Sequence, residues 1–150
     1  MFLQKPLLVL LLACLLLSVS ACTSMNVKPL APGFTHICIQ HNARVKKQAF
    51  LPMLERSVAR YGITTEVFSA APPPHCQTRM TYTANWDWDL ALYMTDARLN
   101  IYHGTQRTPV ASATYHLRNK GGLSLAKYGS AEAKMNQLID QLLIQYPSNR

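Results

Sequence analysis

The chain is poor in acid. Seven Asp and Glu face 15 Lys and Arg across 150 residues. It has no apolar run of the ~20 residues a membrane-spanning helix needs. Its five histidines, His36, His41, His75, His103 and His116, show no HxH, HxxxH or HExxH spacing. Scattered turn or surface histidines are therefore expected, and no metal site. No GxSxG occurs, which removes the usual sequence sign of a serine hydrolase. No CxxC pair, internal repeat or second-domain boundary is visible either. Nothing here calls for a cofactor, and the chain is expected not to be an enzyme.

What is present begins at the N-terminus. Met1–Lys5 carries one positive charge, and Leu7–Val19 is apolar except for Ser18. That length suits the h-region of an export signal. It ends in Val19-Ser20-Ala21-Cys22, small residues before a Cys, which is the lipobox pattern. Residues 1–21 are thus expected to be a signal peptide, and Cys22 the acylated first residue of the mature chain. Thr23 rather than Asp follows it, favouring the periplasmic face of the outer membrane. The bilayer, reached through the lipid, is the first expected partner. Residues 22–33, with Pro29 and Pro32, read as the lipidated Cys and a flexible tether. At ~3.1 Å per residue an extended tether of this length reaches roughly 30 Å.

Cleavage leaves 129 residues, Lys5 gone, and a net charge of +7. That balance suits an envelope protein, an anionic glycan or an anionic lipid as partner. Nucleic acid is not expected in that compartment. Cys14 leaves with the signal and Cys22 takes lipid, so Cys38 and Cys76 remain. Two thiols in an oxidising compartment are expected to pair, in preference to a metal pair or two free thiols. Such a loop adds about 4 kcal/mol in the chain-entropy model.

Residues 34–150 read as a single domain. Phe34–Gln40 alternates like a strand, with Ile37 and Ile39 on one side. Phe50, Leu51, Leu54, Val58 and Tyr61 fall on one helical stripe. Pro52 is tolerated only in the first turn, so the helix is predicted to begin near Gln48. Gly62 suits its C-terminal stop. Ile63–Phe68, Arg79–Trp88, Leu90–Tyr102 and Thr108–Leu117 are predicted strands. Ser130 is a predicted N-cap for a final helix ended by Pro147. The predicted order is β-α-β-β-β-β-α, with a parallel crossover between the first two strands. It describes an α/β two-layer sandwich, a mixed five-stranded sheet with two helices on one face.

The segment Thr83-Ala84-Asn85-Trp86-Asp87-Trp88-Asp89 resembles a family of small uncharacterised Gram-negative lipoproteins first named from a Shewanella genome. The similarity extends over most of the mature chain, including Cys38, Phe50-Leu51-Pro52, Cys76 and Gly121-Gly122-Leu123. It implies localisation and fold class, and no activity.

Strand alternation sends Trp86 and Trp88 to one face, Asp87 and Asp89 to the other. Both indoles are expected in the core, where Trp86→Ala would cost roughly 3–5 kcal/mol. The alternative is a sugar-binding platform built from Trp86, Asp87, Trp88 and Asp89. Two carboxylates on the same side of one strand do not suit a glycosidase, whose acids flank the scissile bond. Arg118 and Lys120 beside Gly121-Gly122 are a candidate anion nest. The expected function is a lipid-anchored, non-enzymatic binding or scaffolding domain of the envelope. The alternatives are an accessory subunit modulating an envelope enzyme or transporter, and a small cell-wall glycan hydrolase.

Overall fold

The computed structural model describes residues 23–118 and 125–148. The export signal, Cys22 and the Gly121-Gly122 loop lie outside the described residues. The elements run β1 (Thr23–Lys28), β2 (His36–Gln40), α1 (Phe50–Ala59), β3 (Thr64–Phe68), β4 (Thr78–Asp89), β5 (Ala91–His103), β6 (Ala111–Leu117), a 3₁₀ turn (Leu125–Tyr128) and α2 (Ala131–Leu142). They make an α/β fold with a mixed sheet in the order β1-β6-β5-β4-β2-β3.

The sheet has six strands, correcting the expected five. The extra one is β1, taken from the segment expected to be a tether. Thr23–Lys28 pairs antiparallel with β6, from Thr23 opposite Leu117 to Lys28 opposite Ser112. Its polar sequence hides the pattern: Met25 and Val27 pack on the core while Thr23, Asn26 and Lys28 do not. Beyond it Leu30 is buried, and its N–H donates to the Leu142 carbonyl at 2.8 Å. The Tyr146 hydroxyl donates to Ala31 O at 2.7 Å and accepts from the Phe34 N–H at 3.2 Å. Residues 23–34 are thus part of the domain.

β2 pairs in parallel with β3 and with β4, so the β2–α1–β3 crossover is present as expected. Pro52 is the third residue of α1, inside the first turn where its missing N–H has no intrahelical partner. Gly62, at φ +69°, takes the left-handed position after the helix that a side chain would resist. Ser130 caps α2 by accepting from the Ala133 N–H at 3.0 Å.

One cluster forms the main core. Phe50, Leu54 and Val58 of α1 meet Met135, Leu138, Ile139 and Leu142 of α2, together with Met80, Leu99, Ile101 and Tyr115 from the sheet. Along β6, Ala111, Ala113, Tyr115 and Leu117 are buried while Ser112, Thr114 and His116 are not. The helices are also bound to each other. Arg60 and Tyr61 both bond Asp140 Oδ1, at 2.6 and 2.5 Å, and the Ser57 hydroxyl bonds Asn136 Oδ1 at 2.7 Å. A second, small cluster holds Cys38, Phe68 and Cys76.

Candidate functional site

β4 and β5 form a long hairpin whose far end outruns the core. Pairing runs from Thr78 opposite His103 to Asp89 opposite Ala91, with a register shift between Asn85 and Trp86. Thr95 is the extra residue on β5. A bulge of this kind bends the strand and increases the local twist. Leu90 closes the turn at φ +58°, a conformation unusual for a branched side chain. Trp88 is 69% exposed, Leu90 85% and Leu92 47%.

The Trp-rich segment is therefore divided. Trp86 packs against the core, its ring edge-on to Phe50 with centroids 6.5 Å apart. The Lys47 ammonium lies 5.8 Å from the Trp86 ring centroid. Its indole N–H is buried with no hydrogen-bond partner among the described residues. Trp88, expected in the core, is exposed instead. Asp87 accepts the Trp88 N–H at 2.9 Å, and Asp89 is paired with Lys127. That carboxylate raises the Lys127 pKa above its ordinary value. The Lys127 ammonium also lies 5.0 and 5.9 Å from the Tyr128 and Tyr93 ring centroids. Trp88, Leu90 and Leu92, with half-exposed Tyr128, are the exposed large apolar side chains of this region.

Positive charge gathers beside it. A groove of about 430 Å³ is lined by Lys46 and Lys47 over a floor that includes Val45, Leu51 and Tyr82. Asn42 ties this loop to β4 through the Tyr82 backbone carbonyl, at 2.8 Å.

Two groupings escape any reading by spacing. On the polar face of the sheet, Ser24 stands opposite His116, and His116 opposite Asp96. His116 Nδ1 donates to Asp96 Oδ1 at 2.5 Å. The row has the order of a Ser-His-Asp triad, but among the described residues no hydrogen bond joins Ser24 to His116. At the other end of the sheet His36, Glu66 and His75 converge, correcting the expectation that all five histidines are scattered. They come from β2, β3 and the loop before β4, so no local motif marks them. His41 and His103 join neither group; His103 Nδ1 hydrogen-bonds the Thr78 hydroxyl at 3.1 Å.

No family model matches the chain, nor does any curated protein. Solved structures with a similar fold do exist. The dodecamer of a leucine-to-methionine PelC variant from Paraburkholderia phytofirmans is 10% identical, with 80% of this chain and 98% of that chain covered and a TM-score of 0.52. A second PelC dodecamer from the same organism is 9% identical, with 80% and 94% covered and a TM-score of 0.50. At such identities the likeness is one of fold.

Proposed function

We propose that this is a lipid-anchored, non-enzymatic envelope domain held directly against the bilayer, with the Trp88–Leu92 tip as its second membrane contact. The observation that carries this reading is the position of β1. Thr23 begins the strand, one residue after the lipobox Cys22, so an acyl anchor leaves no spacer between bilayer and domain. Thr23 lies opposite Leu117, and Ser24 is level with Asn85 through His116 and Asp96. The acylated end and the hairpin tip therefore share one end of the sheet. From the level of Thr23 the hairpin extends three further residues, roughly 10 Å. An anchor at Cys22 brings that tip to the headgroup region, where Trp and Tyr are favoured and Leu finds apolar surroundings.

Anchorage by the lipid combined with a short wedge fixes orientation as well as location. The polar row Ser112, Thr114 and His116 of the sheet and the Lys46–Lys47 groove are the surfaces offered to an envelope protein or anionic glycan. The outer membrane and membership of the resembled lipoprotein family belong to the same proposal.

Two measurements test it. Cys22→Ser is expected to abolish labelling by an alkyne fatty acid; persistent labelling would remove the anchor from the scheme. In a Trp86→Phe background, Trp88 fluorescence of the lipidated protein in vesicles is expected to shift to the blue and to be quenched by brominated lipid. Unchanged quenching by aqueous acrylamide with and without vesicles would sink the tip contact.

Self-assembly is a second reading, favoured by the dodecameric state of both PelC structures. It predicts a concentration-dependent mass in detergent that Leu90→Asp abolishes.

A further inference from the structure

We propose that His36, Glu66 and His75 form a binding site for a divalent transition-metal ion of the zinc class. One ligand atom from each, together with Cys38 Sγ, lies within 4.8 Å of the others. His75 Nε2 is 2.7 Å and His36 Nε2 3.8 Å from the same carboxylate oxygen, Glu66 Oε2. Two imidazoles and one carboxylate are a ligand set that zinc accepts, leaving a fourth position for water or an incoming ligand. Tetrahedral coordination at ~2.0–2.2 Å sets ligand atoms roughly 3.4 Å apart, so His75 Nε2 must draw back from Glu66 Oε2 and His36 Nε2 approach it, each by less than about an ångström. Half-exposed side chains on a surface can do this without disturbing the core.

The surroundings of His36 suit a ligand role. Its Nδ1 lies 2.8 Å from the Thr64 hydroxyl oxygen, and in the tautomer protonated at Nδ1 that oxygen holds the N–H while Nε2 is left to ligate. An imidazole whose outer N–H is held by an oxygen is how metal-binding histidines are oriented. The ion would take the place of the proton between His75 Nε2 and Glu66 Oε2.

The fold builds the third ligand in through the disulfide. His75 sits next to Cys76, whose bond to Cys38 clamps the Pro-rich loop over β2. Oxidised Cys38 offers no thiolate, so it acts as the clamp and the ion rests on the other three residues. A cleft of about 230 Å³, lined by His36, His75 and His103 among others, opens beside the group and leaves room for the fourth position. Because β2 and β3 cover only the start of β4, this site lies at the end of the sheet away from the hairpin tip. It is open to the compartment whichever occupant the tip has.

The test is calorimetric titration of ZnCl₂ into the full-length protein, purified from membranes in detergent and stripped with EDTA. One ion per chain is expected. His36→Ala, His75→Ala and Glu66→Gln should each weaken binding at least tenfold, and Thr64→Val by about 10- to 100-fold as an outer partner. His116→Ala, far from the group, should leave it unchanged. Melting curves without zinc establish that each variant is folded. Absence of saturable one-to-one binding overturns the proposal, as does equal weakening by His116→Ala.

Discussion

Replacing Cys38 and Cys76 together with alanine is expected to lower the unfolding free energy by about 4 kcal/mol. The two residues are 38 apart in sequence, with Cα atoms 5.8 Å apart. Cutting the bond frees a long loop in the unfolded chain. The loop contains α1 and β3, so the unfolded ensemble gains freedom in about a quarter of the sequence. A second effect acts in the folded state. Cys38 and Cys76 supply two of the three buried side chains in the small cluster with Phe68, which alanine fills less well. Domains of this size are stabilised by only about 5–15 kcal/mol in total. The double variant should therefore unfold at a markedly lower urea concentration, with a somewhat steeper slope because the uncrosslinked unfolded chain exposes more surface. A midpoint equal to that of the oxidised parent would show that the clamp contributes nothing. The same variant releases His75, so any zinc affinity should fall with it.

The pairing of these cysteines was legible because compartment and elimination left no other partner. So were both helices and five strands, since apolar periodicity and caps mark them locally. β1 was not. Its residues Thr23-Ser24-Met25-Asn26-Val27-Lys28 have only two apolar side chains, and Pro29 and Pro32 just beyond suggest a linker. What makes it a strand is the edge of β6, whose row of N–H and C=O groups is a template for a neighbouring segment. Edges formed by distant residues leave no trace in local pattern. The His36–Glu66–His75 group was illegible for the same reason. Parallel pairing sets Glu66 opposite Cys38, two residues from His36, and the disulfide delivers His75. Each contact depends on register, and register is a property of the folded sheet.

The aromatic segment shows where alternation stops being informative, and its three rings should separate in a stability series. Phe50→Ala is expected to cost about 3–5 kcal/mol, the range for truncating a fully buried aromatic. Its ring is buried, stacks on Tyr82 at 5.4 Å and receives the edge of Trp86. Trp86→Ala should cost less, about 2 kcal/mol, because part of the ring is already in contact with solvent. Its buried indole N–H, unpartnered among the described residues, reduces the loss further, since alanine removes a donor that folding leaves unsatisfied. Trp88→Ala should stay within about 0.5 kcal/mol of the parent, as surface substitutions do. Both tryptophans occupy the same face of β4, so sequence alternation assigns them the same fate. The difference appears past the Asn85–Trp86 register shift, where Trp86 still packs on the core and Trp88 is exposed. Urea unfolding of the three variants measures the order directly. A loss at Trp88 as large as that at Phe50 would mean that the hairpin end is covered within the folded chain. With Trp88 neutral for folding, its exposed ring remains free to meet the bilayer, and Trp88→Ala should reduce vesicle contact at unchanged stability.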